Sequence, residues 1–264
     1  MSFRNEDSEI LAATNTTRCL CSWDSKTGRP LRDPVHLPVD PEDEDPDGDH
    51  PYSLCSFALT QDMEHILTGS EAHEKKVVQW DITTGKRVNQ SYRGHKNLIS
   101  AIAVSPNGNH VVSASWDQAI HIWDLSTGEP VCKPLIGTNW FTSVAYSPSG
   151  QYLVSSSADR SIIVWDALSG DVQCGPQFAH NAWTDVVRFS PDGKRIASGS
   201  NDGNVVCTLG CSGHGLRQTT IIFKSPLHTL TRIRVENRRE QWYIQELQRH
   251  PELVIVYDVV NCMW

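Results

Sequence analysis

The chain has 264 residues, 39% of them hydrophobic and nine of them Trp, enough to bury a substantial core in one or two domains. Its net charge of −8 comes mostly from one acidic stretch, and the nearly neutral remainder lacks the basic face that a nucleic-acid binder needs. No apolar run reaches the roughly 18 residues of a membrane span, the opening MSFRNEDSEI has no apolar secretory core, and eight Cys are too few for a disulfide scaffold, so a reducing compartment is expected, the cytoplasm or else the nucleus.

Read in chain order, the first marked element is CLCSWDSKTG at 19–28, an alternating strand that ends in Trp23-Asp24 and a Gly turn. Cys19 and Cys21 lie on one face of it, and no second pair or nearby His is evident to complete a metal site. Residues 37–52 follow with Asp40, Glu42, Asp43, Glu44, Asp45, Asp47 and Asp49 and no Lys or Arg. The opening of a calcium loop is visible in this insertion, but Leu54 stands where the closing Glu belongs, so a solvated loop is expected.

The element VVQWDITTG at 77–85 repeats the Trp-Asp-turn pattern, and IHIWDLSTG at 120–128 and IIVWDALSG at 162–170 repeat it again. Trp23, Trp80, Trp123 and Trp165 are 57, 43 and 42 residues apart, and the period holds once the 16-residue insertion is removed. Between these pairs stand the turns SPNG (105–108), SPSG (147–150) and SPDG (190–193), flanked by short β-branched runs with period-two alternation. The unit is strand, turn, strand, turn, strand, turn, strand. Cys132 and Cys174, 42 residues apart, read as small apolar strand residues within it. After Asn201-Asp202-Gly203 the pattern stops, with Cys207 and Cys211 as another incomplete pair. A short helix is expected over 239–250 and a strand over 253–260.

A four-stranded antiparallel unit cannot bury both faces alone, whereas units stacked about an axis bury each other. The Trp-Asp pairs in register with Ser-Pro-x-Gly turns resemble the WD-repeat β-propeller family over roughly residues 9–209, in a style similar to fungal WD-repeat arrays. The expected fold is all-β, a propeller of four-stranded antiparallel blades, about five or fewer and incomplete. Residues 1–210 form it, and 211–264 are a divergent tail that supplies closing strands or a cap.

The resemblance also implies a role for Ser, His and Asp residues that otherwise invite a hydrolase reading. In the family such sets form a structural hydrogen-bond network in which His bridges a turn Asp and a strand Ser, and the Ser meets the indole N–H. The third unit has the whole set in His95, Ser113 or Ser115, Asp117 and Trp123. The second unit has His50 and Trp80 but Glu74 for Asp, and the fourth has Asp159 and Trp165 with Thr138 for His. The fifth has His180 and Asp202, with Thr208-Leu209 replacing Trp-Asp. Asp81, Asp124 and Asp166 complete the Trp-Asp pairs, and no residue is assigned to catalysis, cofactor or metal.

Trp140, Phe141 and Trp183 precede innermost strands, and Trp116 sits beside Asp117, where the resemblance implies a partner-binding top face. The expected function is a non-enzymatic scaffold for other proteins, with no cofactor, nucleic-acid or membrane partner and with self-association through exposed blade edges. The alternative is a sensor segment of a larger signalling protein such as a nucleotide-binding receptor.

Overall fold

The computed structural model describes residues 2–4, 9–13, 19–37, 54–70, 75–88, 91–209 and 221–224. Within them alternating apolar sequence produces nineteen antiparallel strands and no helix, so no helix is long and apolar enough to cross a membrane. The first sheet holds β1 (Ser2–Arg4), β2 (Glu9–Ala13), β3 (Cys19–Asp24) and β4 (Val35–His36). The second holds β5 (Leu54–Leu59), β6 (His65–Ser70) and β7 (Val77–Asp81). The third holds β8 (Ile99–Val104), β9 (His110–Ser115), β10 (Ala119–Asp124) and β11 (Leu135–Ile136). The fourth holds β12 (Phe141–Tyr146), β13 (Tyr152–Ser157), β14 (Ser161–Asp166) and β15 (Val172–Phe178). The fifth holds β16 (Thr184–Phe189), β17 (Arg195–Ser200), β18 (Asn204–Leu209) and β19 (Ile221–Lys224).

Each sheet keeps its strands in chain order. In the second sheet the fourth place is taken by isolated bridges, Trp80 to Arg87 and Val77 to Tyr92. Leu37, the first residue of the acidic insertion, is only 2% exposed and packs with Leu20 and Ile66, because an apolar side chain at a sheet junction gains by leaving water. Residues 38–53, His50, Glu74, Cys211 and the stretches 239–250 and 253–260 lie outside the described residues.

Period-two alternation sends neighbouring residues to opposite faces of a sheet, and here both faces are apolar. In β9, Val111 packs toward Leu67, Val77 and Tyr92 of the second sheet, whereas Val112 and Ala114 pack toward Phe141, Val144 and Leu153 of the fourth. The same arrangement joins the first sheet to the second through Leu20, Leu37, Ile66 and Trp80, and the fourth to the fifth through Val154, Val164, Val187 and Ile196. Innermost strands meet in sequence, β5 against β8, β8 against β12 and β12 against β16. Among the described residues no strand pairing closes the fifth sheet onto the first.

The Asp of each Trp-Asp pair shapes a turn. Asp81 Oδ1 accepts the Thr83 and Thr84 amides at 3.0 and 2.6 Å. Asp124 holds the Ser126 and Thr127 amides at 3.0 and 2.9 Å, and Asp166 holds those of Leu168 and Ser169 at 3.0 and 2.9 Å. At Gly85 the chain takes φ +67°, and a Cβ there would lie 2.8 Å from the His36 carbonyl oxygen, so the turn needs glycine for conformation and for space. In the first sheet Asp24 accepts the Lys26 and Thr27 amides at 3.1 and 2.6 Å, and an ion pair is added. Buried Glu9 accepts from Arg32 at 2.9 Å, and Arg32 Nε donates to Ser22 at 3.1 Å.

Because each junction is filled by side chains from two sheets, a deletion in one should loosen both. Leu153→Ala, at a fully buried position between the third and fourth sheets, is expected to cost about 2–5 kcal/mol in urea denaturation. Leu168→Ala, 71% exposed in a turn of the fourth sheet, should change stability by less than about 0.5 kcal/mol.

Candidate functional site

Register places one set of loops at a common end of the sheets. Ile99 at the start of β8 faces Ser115 at the end of β9, and Phe141 faces Ser157 and Thr184 faces Ser200 in the same way. The loops that enter β8, β12 and β16 therefore lie beside the turns that leave β9, β13 and β17. Backbone bonds fasten each loop to its turn: Trp116 N to Leu98 O, Ala158 N to Trp140 O and Asn201 N to Trp183 O, at 3.0, 2.9 and 3.1 Å.

Three indoles meet on this end. Trp116 stacks on Trp140 with ring centroids 4.8 Å apart and planes 9° from parallel, and Trp183 meets Trp140 edge-on at 6.1 Å. The row crosses three consecutive sheets. Trp183 stays 49% exposed and the other two are half-buried, so the row offers a continuous apolar surface held in a fixed geometry. Phe141, expected beside them, belongs elsewhere. It is 1% exposed and packs edge-on against Trp165 at 6.5 Å, because the first residue of β12 turns toward the third sheet and not toward the loops.

Beneath each indole an Asp ties the loop to the turn. Asp117 Oδ2 is 2.9 Å from His95 Nδ1 and accepts the Lys96 amide at 2.7 Å, and its Oδ1 accepts the Ala119 amide at 2.9 Å. His95 Nε2 lies 2.8 Å from Ser113 Oγ, which accepts the Trp123 indole N–H at 2.9 Å. Ser113 is the strand partner. Ser115 instead donates to the Asn97 carbonyl and accepts the Asp117 amide, both at 3.1 Å. The carboxylate sets the direction: ionised Asp117 can only accept, so His95 Nδ1–H donates to it, and in the neutral ring Nε2 then accepts from the Ser113 hydroxyl. The set has the composition of a nucleophile triad but not its access, since Ser113 is 0% exposed and its oxygen is occupied by the indole.

The other sheets keep parts of this arrangement. Trp80 Nε1 donates to Thr68 Oγ1 and Trp165 Nε1 to Ser155 Oγ, both at 2.8 Å. Thr138 Oγ1 donates to Asp159, which also accepts the Ser161 amide at 2.8 Å and so braces Trp140. In the fifth sheet His180 Nε2 is 2.8 Å from Ser198 Oγ, but His180 Nδ1 is 3.6 Å from Asp202 and makes no hydrogen bond. Asp202 instead accepts the Asn181 and Asn204 amides, both at 2.9 Å, which braces Trp183. The register position that Trp165 holds in β14 opposite Leu153 falls in β18 on Thr208, opposite Ile196.

Electrostatics follows from burial and bonding. Burial alone would raise the Asp117 carboxyl, but the hydrogen bonds from His95 and the Lys96 amide outweigh it and bring it to about 2. His121 was not marked by sequence. It stacks on Trp123 at 4.8 Å and 7°, meets His95 edge-on at 4.5 Å, and burial followed by the neighbouring His95 drives it down to about 4. With Arg93, Glu129, Cys132 and Lys133 it lines an open cleft of about 620 Å³. Burial and then the charge of Asp202 raise Asp185, just past Trp183, to about 6.

The cysteines depart from their sequence reading in two ways. Cys132 lies in a loop and not in a strand, whereas Cys174 is in β15. Cys19 does have a nearby His, His36 Nδ1 at 3.1 Å across β3 and β4, since strand pairing joins residues that sequence keeps 17 apart. Among the described residues no group of three or more ligands for a metal forms.

The ionised Asp117 stabilises the fold, so its contribution is full above about pH 4 and disappears as pH falls toward 2. Asp117→Asn is therefore expected to lower stability at neutral pH by roughly 2 kcal/mol, with the gap to the parent closing between about pH 4 and 2. Thermal unfolding as a function of pH measures it. Ser113→Ala, which strands the indole N–H and the imidazole, should cost about 1–3 kcal/mol at every pH.

Comparison with known proteins places this geometry. The WD domain, G-beta repeat family profile matches three successive segments, residues 86–124, 129–166 and 173–207. The chain is 32% identical over 82 residues to the small ribosomal subunit protein RACK1 of Candida albicans, covering 29% of this chain and 25% of that protein. It is 30% identical over 79 residues to MST50-interacting protein 11 of Pyricularia oryzae, covering 28% and 25%. It is 32% identical over 77 residues to autophagy-related protein 16 of Arabidopsis thaliana, covering 29% and 14%. The aligned stretch thus spans a quarter or less of each of these relatives. Matched repeats, antiparallel four-stranded sheets and the recurring Trp-Asp turns agree: residues 86–207 carry three WD repeats, and the sheets are those of WD-repeat blades.

Proposed function

We propose that the chain is a non-enzymatic scaffold that docks a protein partner on the row formed by Trp116, Trp140 and Trp183. The observation that carries this reading is the row itself: three indoles from three sheets, stacked and edge-packed, with one of them half exposed to water. Trp is over-represented where binding energy concentrates, because it buries a large area at little cost in side-chain entropy. WD40 repeats generally mediate contacts between proteins, and the relatives include one named as an interacting protein.

The physical design suits docking. Asp117, Asp159 and Asp202 lock the loops that carry the indoles to their turns, so the surface is set before a partner arrives and little ordering entropy remains to be lost. The partner is a protein with an apolar or aromatic anchor. The nearly balanced charge outside residues 37–52 gives no support to a nucleic-acid partner.

Capture of partners from native extract followed by titration calorimetry tests the proposal. The triple substitution Trp116→Ala, Trp140→Ala, Trp183→Ala is expected to weaken binding at least about 30-fold, the loss of one strong anchor or more, with the circular dichroism spectrum unchanged. Leu168→Ala, in a turn at the opposite end of the fourth sheet, should leave affinity unchanged. Binding that survives the triple substitution would contradict the proposal.

A further inference from the structure

The innermost strands are stitched together by side chains at one recurring position. Each of β8, β12 and β16 carries a bulge near its start, at Ser100, Thr142 and Asp185. Ser100 Oγ donates to the Phe141 carbonyl at 2.6 Å and Thr142 Oγ1 donates to the Thr184 carbonyl, so both hydroxyls are satisfied inside the fold. At the third bulge a carboxyl stands instead. Asp185 Oδ1 accepts from Asn201 Nδ2 at 3.2 Å, and the Asn201 amide bonds the Trp183 carbonyl at 3.1 Å. Asn201 therefore holds both the half-exposed indole of the row and a half-buried carboxyl at the same end of the fifth sheet.

The carboxyls along the row differ in what they hold. Asp117, Asp159 and Asp202 each accept bonds on both oxygens from their own loops and turns. Asp185 Oδ2 accepts none among the described residues, and no cation there pairs with it. Its charged neighbours do not compensate. Burial would raise Asp202, but the Asn181 and Asn204 amides outweigh it and hold the carboxyl below the usual range, so it stays ionised. Burial lowers His180, in the loop before β16, so that it is neutral at pH 7. Arg160 meets β16 through its carbonyl, which accepts from Thr184 Oγ1 at 3.4 Å. Arg188 donates to Ser143 Oγ at 3.0 Å and to the Val187 carbonyl at 2.8 Å. Burial and then the charge of Asp202 raise Asp185 to about 6, so at neutral pH its negative charge is disfavoured until a cation comes beside it.

We propose that the protein docked on the indole row presents an arginine beside its apolar anchor, and that this arginine lies against Trp183 and pairs with Asp185. The inference rests on the docking reading above and names the partner's chemistry. Trp183, 49% exposed, offers an aromatic surface, and Asp185 offers a carboxylate oxygen at the same end of the sheet. A guanidinium suits both at once. It is planar and packs on an indole, it presents parallel N–H groups to a carboxylate, and it is less strongly hydrated than an ammonium. Because the other three carboxyls are occupied, the pair stands at one end of the row only and fixes which way round the partner lies.

Random peptides displayed on phage supply the probe. The full chain is expected to enrich peptides with an arginine close in sequence to an aromatic residue, and Asp185→Asn should keep the aromatic preference and lose the arginine. With a synthetic peptide from that set, calorimetry at pH 7.5 should show Asp185→Asn and replacement of the peptide's arginine by glutamine each weakening binding about tenfold, and the two together no more than either alone. Protonation removes the charge of Asp185, so lowering the pH from 7.5 to 5 should weaken the parent about fivefold and leave Asp185→Asn unchanged. Enrichment of lysine instead, of no basic residue or of nothing at all would overturn the proposal, as would additive losses in the paired substitutions. So would an Asp185→Asn chain that melts at lower temperature and binds as before, since the cation would then belong to this chain. Failure of the docking reading has a different signature: the triple indole substitution would leave the selected peptides unaltered.

Discussion

A buried indole N–H has to be given an acceptor, and this requirement orders the molecule. Trp80, Trp123 and Trp165 are each 4% exposed or less, and each donates to a hydroxyl on the neighbouring strand, Thr68, Ser113 or Ser155. An unpaired donor at such a site would cost about 1–3 kcal/mol, which is comparable to the worth of a whole buried aliphatic side chain. The bond therefore fixes the register of the second strand against the third in those sheets. Once register is fixed, period-two alternation decides which residues look toward the preceding sheet and which toward the next.

From that register the indole-bearing face follows. In the third sheet the hydroxyl passes the bonding on to His95 and Asp117, and Asp117 grips the loop before β8 and the turn after β9 together. The fourth and fifth sheets reach a similar result with fewer parts, through Thr138 and Asp159, and through Asn181 and Asp202. The loops so held carry Trp116, Trp140 and Trp183. Buried indoles build the sheets, and half-exposed indoles one layer above them make the surface. Residue type is shared, and burial separates the two sets.

Much of this was legible because it is local. The 42- to 43-residue spacing, the Trp-Asp turns and the Ser-Pro-x-Gly turns each lie within a few residues of chain, and the sheets appear where these mark them. His95 and Asp117 were visible as residue types at repeat register. The choice between Ser113 and Ser115 was not, since both point to the same face of β9 and only the position of the Trp123 ring separates them. Phe141 was misplaced by one residue, which is enough to carry a side chain from the loop face into a junction. The Cys19–His36 contact, the stack of His121 on Trp123 and the stitches from Ser100 and Thr142 all cross strands or sheets, so no window of sequence contains them. The fourth place of the second sheet reduces to isolated bridges, for which its short sequence gives no alternation to read.

The division between sheet-building and face-forming indoles is open to a direct measurement. Two-dimensional NMR of the Trp indole N–H groups during hydrogen–deuterium exchange reads each ring separately. The account predicts slow exchange at Trp80, Trp123 and Trp165, whose N–H groups are buried and bonded to hydroxyls, and fast exchange at Trp183. Indole signals that all exchange at one fast rate would contradict it, since the bond that sets the register would then be absent in solution.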